Sequence, residues 1–234
     1  ESDVMTPPEN PPRLGALHAI HVQSGATMID VAGWQVVHGY ADSEEESEAV
    51  TRSAGVCDIS GRSVVNIKSV RLDDVLGERS PTIGSVHRDG DSLIARLTTE
   101  EALAIGPPSA VDSWKAGISP TGDPRRYITD VTSGLAGIKI VGSRGREVID
   151  SLTDLDLREN HTPNNSCAQA GFAQVHATLL RIDITNTTPS YELYVAREYG
   201  VYMWEVVLES LGPGAVVPFG DAALRRLQQQ GRSG

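Results

Sequence analysis

The chain has 234 residues, 20 Lys and Arg against 31 Asp and Glu, a formal net charge of −11 and an apolar share of 39%. That length buries a sizeable core without staples, as one large domain or two small ones. The acidic balance argues against non-specific nucleic-acid and anionic-membrane partners, which need clustered Lys and Arg, and no apolar run is long enough to span a bilayer. Only Cys57 and Cys167 occur, neither at metal-ligand spacing, so a disulfide scaffold and a zinc fold are not expected. The polar, Pro-rich N-terminus is unlike a secretory signal, and the expected location is the cytoplasm.

Residues 1–12 read as a flexible Pro-rich arm. Leu14, Leu17, Ala19 and Ile20 then give a short helical apolar pattern that stops at Gly25, a residue suited to a helix C-terminus. Ser43 precedes Glu44, Glu45 and Glu46, acids that suit the positive end of a helix dipole. This predicts a helix through Ala49 and Val50 to about Gly55, with the acid run as a solvated first turn rather than a metal site. Strands are expected at Val64–Ile67, Leu93–Leu97, Leu103–Ile105, Gly137–Val141, Val175–Ile184 and Tyr191–Val195, each bounded by Gly, Pro, Asn or Asp. Further helices are expected where Ser143 caps a segment carrying Val148, Ile149 and Leu152, from about Glu198 to Ser210, and from Asp221 to Gln230.

These elements repeat. Cys57-Asp58-Ile59-Ser60, the strand around Val65-Asn66-Ile67 and then Asp74-Val75-Leu76 are echoed by Thr129-Asp130-Val131-Thr132, Gly137-Ile138-Lys139, and Val148-Ile149 with Leu152. Leu93-Ile94 and Leu103-Ala104-Ile105 pair likewise with Leu179-Leu180 and Glu192-Leu193-Tyr194-Val195. The reading is an α+β fold of two pseudo-repeated lobes with mainly antiparallel sheets and flanking helices. The first lobe spans 13–107 and the second 127–234, forming one compact unit. A linker loop at 108–126 joins them, where Gly, Pro, Ser and Asp cluster.

Isolated candidates give little. The six histidines are scattered, and His18 and His21, one helical turn apart, read as surface residues without a third ligand. Both cysteines read as buried, inert thiols. Gly142-Ser143-Arg144-Gly145 lacks the Walker lysine and the GxGxxG spacing, so it reads as a strand-to-helix turn. Trp34, Trp114 and Trp204 read as core or interface residues.

Three blocks carry a more specific signal: Gly25-Ala26-Thr27-Met28-Ile29-Asp30-Val31-Ala32-Gly33-Trp34, Ala54-Gly55-Val56-Cys57-Asp58-Ile59-Ser60, and Tyr191-Glu192-Leu193-Tyr194-Val195 followed by Met203-Trp204-Glu205. In this order they resemble the aminomethyltransferase family, which includes the T-protein of the glycine cleavage system and relatives in dimethylglycine and sarcosine oxidation. In the second half, Ser133-Gly134-Leu135-Ala136, Leu152-Thr153-Asp154-Leu155-Asp156-Leu157 and Ser166-Cys167-Ala168-Gln169 resemble the gamma subunit of heterotetrameric sarcosine oxidase. The resemblance implies a T-protein-like folate-binding fold without the C-terminal β-barrel.

For the site, the resemblance implies tetrahydrofolate as cofactor, no metal, Glu192 as the pterin-holding carboxylate, Tyr191 and Arg226 beside it, and Asp91 as the catalytic acid or base. A carboxylate can accept two parallel hydrogen bonds from a pterin, as it does from a guanidinium. Alternation along the strand gives a second reading of Glu192, an outward-facing polar residue between inward Tyr191 and Leu193. The departures from the family pattern are local. Where the family has paired aspartates this chain reads Asp91-Ser92, and Gly61-Arg62 stands where the family places a histidine. A serine hydroxyl does not replace a carboxylate as base near neutral pH. The expected function is therefore an accessory subunit or folate-fold module of an N-methyl-amine oxidising or demethylating system, in complex with a partner subunit or as a homo-oligomer. The alternative is a stand-alone tetrahydrofolate-dependent aminomethyl or methyl transferase.

Overall fold

The computed structural model describes residues 11–117 and 125–233, so most of the N-terminal arm and the centre of the 108–126 segment lie outside the described residues. In chain order the elements are β1 (Arg13–Leu14), α1 (His18–Gln23), β2 (Thr27–Val31), β3 (Trp34–Gly39), α2 (Ser43–Arg52), β4 (Ala54–Asp58) and β5 (Ser63–Lys68). There follow α3 (Leu72–Leu76), β6 (Val86–Asp89), β7 (Ser92–Arg96), β8 (Glu101–Gly106), α4 (Ala110–Gly117), β9 (Tyr127–Asp130) and β10 (Leu135–Val141). The chain continues with α5 (Gly145–Asp150), β11 (Ser166–Phe172), β12 (Val175–Arg181), β13 (Ser190–Ala196), α6 (Gly200–Glu209), β14 (Val216–Pro218) and α7 (Asp221–Ser233).

Among the described residues three sheets form, ordered β1-β3-β2, β6-β7-β8-β5-β9 and β11-β12-β13-β10-β4-β14. All pairings are antiparallel except β1 with β3 and β4 with β14. The internal repeat is explicit, because β5-α3-β6-β7-β8-α4 recurs as β10-α5-β11-β12-β13-α6, and the orders β6-β7-β8-β5 and β11-β12-β13-β10 coincide.

Each repeat also lends its leading strand to the other sheet. β4 precedes β5 in sequence but pairs with β10, and β9 precedes β10 but pairs with β5. Two equivalent turns lock this exchange. Asp58 Oδ1 accepts from the Ser60 N–H at 2.8 Å, and Ser60 Oγ accepts from the Gly137 N–H of β10 at 3.1 Å. In the other half Asp130 Oδ1 accepts from the Thr132 N–H at 3.0 Å, and Thr132 Oγ1 accepts from the Val64 N–H of β5 at 2.9 Å. Short Asx and Ser/Thr side chains satisfy local backbone donors in this way at chain reversals.

Sheet alternation divides the core. On one face of the six-stranded sheet, Val56, Ile138, Ile140 and Leu193 pack on Val148 and Ile149 of α5 and Met203 and Val207 of α6. The opposite face, with Cys57, Val141, Leu180 and Tyr194, meets Val64, Leu93, Ala95, Leu103 and Ile105 of the five-stranded sheet and Ala223 and Leu227 of α7. The far side of the five-stranded sheet carries Val65, Ile67 and Ala104 under α3 and Trp114 of α4.

Several local expectations are corrected. Ala54–Asp58 is a core strand, and the Ser43 helix ends at Arg52, its first turn capped by Asp42, which accepts from the Glu44 N–H. Its acid run is not wholly solvated, since Glu46 is buried and accepts from the Tyr40, Ala41 and Gly220 N–H groups. Three orphan donors outweigh the carboxylate's preference for water here. Ser143 makes no capping bond to α5; its hydroxyl donates to the Ser53 carbonyl. Within 108–126, Ala110–Gly117 is helical, and Trp114 supplies the apolar contact that holds it.

Close approach at Gly220 ties β3 to the start of α7. A Cβ there would lie 2.2 Å from the His38 carbonyl oxygen, a backbone atom that cannot swing aside. Gly220→Ala is therefore expected to destabilise by about 1–3 kcal/mol, the range for overpacking. A lowered urea midpoint at unchanged slope checks this, whereas a shift within about 0.5 kcal/mol, as for an ordinary surface change, contradicts it.

Candidate functional site

Cys167, Leu180, Glu192, Lys139 and Cys57 occupy matched positions across β11, β12, β13, β10 and β4, so their side chains share the face turned toward the five-stranded sheet. Two of the five are charged, and the interior cannot hold them unpaired. Glu192 is 1% exposed, which excludes the outward-facing reading. Its Oε1 accepts from Lys139 Nζ at 2.9 Å and from Arg62 Nη1 at 2.8 Å, and its Oε2 accepts from the Tyr194 hydroxyl at 2.9 Å. Arg62, in the turn between β4 and β5, donates its Nη2 to the Asp91 carbonyl oxygen at 2.9 Å.

The electrostatics follow from this packing. Burial alone would push the Glu192 carboxyl up, but Arg62 and Lys139 more than reverse this and hold it at about 2. Burial and the adjacent Glu192 anion push the Tyr194 phenol well up, so it stays a protonated donor. Arg62 is the shallow member, with its side chain 23% exposed against 1% for Glu192.

The four residues singled out by resemblance are placed unequally. Glu192 and Asp91 both meet Arg62, one through its carboxylate and the other through its carbonyl; the Asp91 carboxylate also acts electrostatically on the guanidinium. Asp91 itself sits exposed in the two-residue turn between β6 and β7, beside Gly90 at φ 58°. Tyr191 packs in the core on the opposite face of β13. Arg226 lies on α7 and pairs with Glu44 of α2 at 2.5 Å.

Sequence reasoning missed Arg62, Lys139 and Tyr194 as members of one network. The available signal was compensation: Ile138-Lys139-Ile140 and Tyr191-Glu192-Leu193 each interrupt an apolar strand with one charge, and the charges are opposite. His21 was misplaced too, being buried rather than on the surface. It joins Asp58 Oδ2 at 3.1 Å and the Tyr40 hydroxyl at 2.6 Å, with its ring edge-on to Trp204.

Both thiols are buried, and burial pushes Cys57 well up and Cys167 up to about 12, so neither is poised as a thiolate. Among the described residues no three His, Cys, Asp or Glu side chains converge as a metal site, and no helix is long and apolar enough to cross a membrane.

Residues 87–231 match the GCVT N-terminal domain. The aminomethyltransferase of Desulfitobacterium hafniense is 27% identical over 240 residues, covering 92% of this chain and 63% of that protein. In fold, the chain is similar to the glycine cleavage system aminomethyltransferase T of Bartonella henselae, with TM-score 0.74, 15% identity, and 92% and 62% of the two chains covered. It is also similar to a chain of the heterotetrameric sarcosine oxidase of Corynebacterium sp. U-96, with TM-score 0.63, 10% identity, and 85% and 94% covered. The described chain thus spans under two thirds of the aminomethyltransferases it matches.

Proposed function

The chain belongs to the GCVT N-terminal domain family, and from that premise we propose that it is a non-catalytic member, an accessory module of an assembly that oxidises or demethylates N-methylated amines. The observation that carries this reading is that three internal donors already engage Glu192, two on Oε1 and one on Oε2. Both of its carboxylate oxygens are taken by the chain's own donors, and the Arg62 guanidinium supplies the kind of planar N–H contact that a pterin would otherwise bring. A ligand seeking Glu192 must displace Arg62 from both Glu192 and the Asp91 carbonyl.

Two further features agree with it. Ser92 follows Asp91, and Asp91 is held on an exposed turn, where water competes for any proton it could transfer. The sarcosine oxidase whose chain this fold resembles is a heterotetramer, which agrees with a place for this fold beside other subunits.

Calorimetric titration with tetrahydrofolate tests the reading. The unmodified protein is expected to show no saturable heat with ligand up to about 1 mM, equivalent to binding weaker than about −4 kcal/mol. Arg62→Ala, which removes one of the two donors on Glu192 Oε1 and leaves Lys139, is expected to bind more tightly than the unmodified protein. Micromolar binding by the unmodified protein, together with one-carbon transfer that Asp91→Asn slows by about 10²–10⁴, would instead establish a tetrahydrofolate-dependent transferase.

A further inference from the structure

Between the two large sheets lies a cleft of about 470 Å³, within the size range of small-molecule sites. Leu97, Leu103, Val131 and Leu135 give it an apolar floor, and Tyr194, His176 and Tyr199 contribute aromatic rings. Tyr194 is shared with the buried network, but its hydroxyl is committed to Glu192; neither Glu192 nor Arg62 lines the cleft.

The charge of the lining is one-sided. Among the described residues that line it none is Lys or Arg, and the one carboxylate is Glu101. That side chain is 23% exposed, and its described bonds, from Asn66 Nδ2 at 2.7 Å and Lys68 Nζ at 3.2 Å, both fall on Oε1. Lys68 is 54% exposed, so its pairing with Glu101 is a solvent-screened one that an incoming cation can replace at small cost. Among the described residues, an anion entering the cleft meets no Lys or Arg of the lining and faces a carboxylate whose cationic partner, Lys68, stands outside the lining. A cation meets that carboxylate and lies beside aromatic side chains, whose ring faces attract cations.

We propose that this cleft is a binding site for a cationic small molecule with an apolar body, an N-alkylated ammonium, held by Glu101 and by the rings of Tyr199 and His176 against the Leu103 and Leu135 floor. The apolar body is required by the volume, which a bare methylated ammonium would leave mostly unfilled. This assignment stands on the cleft and not on the reading of the Glu192 network.

The full chain, isotopically labelled for amide chemical-shift mapping, is titrated in parallel with benzyltrimethylammonium, benzyl alcohol and benzoate. The expected order of affinity is ammonium, then alcohol, then benzoate, with saturable shifts at Gln169, Thr178 and Ala196 by about 10 mM ammonium. Tyr199→Ala, at a 46% exposed position that should tolerate truncation, is expected to weaken the ammonium about 2–5-fold. Glu101→Gln is expected to shrink the advantage of the ammonium over the alcohol by a similar factor while leaving the alcohol unchanged. Benzoate binding as tightly as the ammonium, shifts that map elsewhere, no saturation, or indifference to both variants would each overturn the assignment.

Discussion

Replacing Glu46 with alanine is expected to lower the stability of the chain by about 3–5 kcal/mol, among the largest single-residue effects available outside the apolar core. The side chain is 5% exposed and bridges three segments: Tyr40 and Ala41 after β3 donate to Oε1 at 2.5 and 3.0 Å, and Gly220 before α7 donates to Oε2 at 3.0 Å. Alanine leaves three backbone donors facing a protein interior, and an unmade buried hydrogen bond costs more than a made one contributes. Glu46→Gln keeps one acceptor oxygen and should lose roughly half as much. For a chain of this size the alanine change corresponds to a fall in Tm of about 6–20 °C. Glu45→Ala, exposed one residue earlier, is the control and should stay within about 0.5 kcal/mol. Equal behaviour of the two alanine variants in thermal unfolding would show that Glu46 is not the anchor described.

Glu192→Gln should cost a comparable amount, about 3–5 kcal/mol at pH 7, because it strips Lys139 and Arg62 of their shared anion. The pH dependence carries a distinct signature. The carboxyl is lowered from 4.5 to about 2 in the folded chain, so folding favours its ionised form. Its contribution is fully present above pH 4.5 and is lost as pH falls toward 2, an amount of about 3 kcal/mol across that window. Denaturant unfolding at pH 7, 5 and 3 should therefore show a steep acid loss in the unmodified protein and a shallower one in the variant. Parallel acid limbs would remove Glu192 from that role, whatever the variant's stability at pH 7.

Much of this fold is legible in the sequence, and so is one half of its ion network. Apolar alternation places β5, β7, β8, β10, β12 and β13 within a few residues, and the doubled blocks reveal the repeat, because equivalent periods demand equivalent burial. The hairpins β2–β3 and β11–β12 escape notice for a local reason. The turn at Ala32-Gly33 has φ of 50° and 80°, and the turn at Ala173-Gln174 has φ of 45° and 69°, so alanine and glutamine take positions that Asn and Gly usually announce.

By itself, then, the sequence determined the types of the central strands and main helices, the two-fold repetition, the family, and the presence of single opposite charges inside two apolar strands. Only the tertiary structure decided that β4 and β9 exchange sheets, that Glu46 turns inward, and that Arg62 pairs with Glu192. These are long-range choices. A strand's alternation states which side must be buried but not against which sheet, and a carboxylate's character fixes its need for donors but not which of them the fold delivers. Lys139 and Glu192 meet because β10 and β13 pair in register, 53 residues apart in sequence, and Arg62 joins them from 130 residues away.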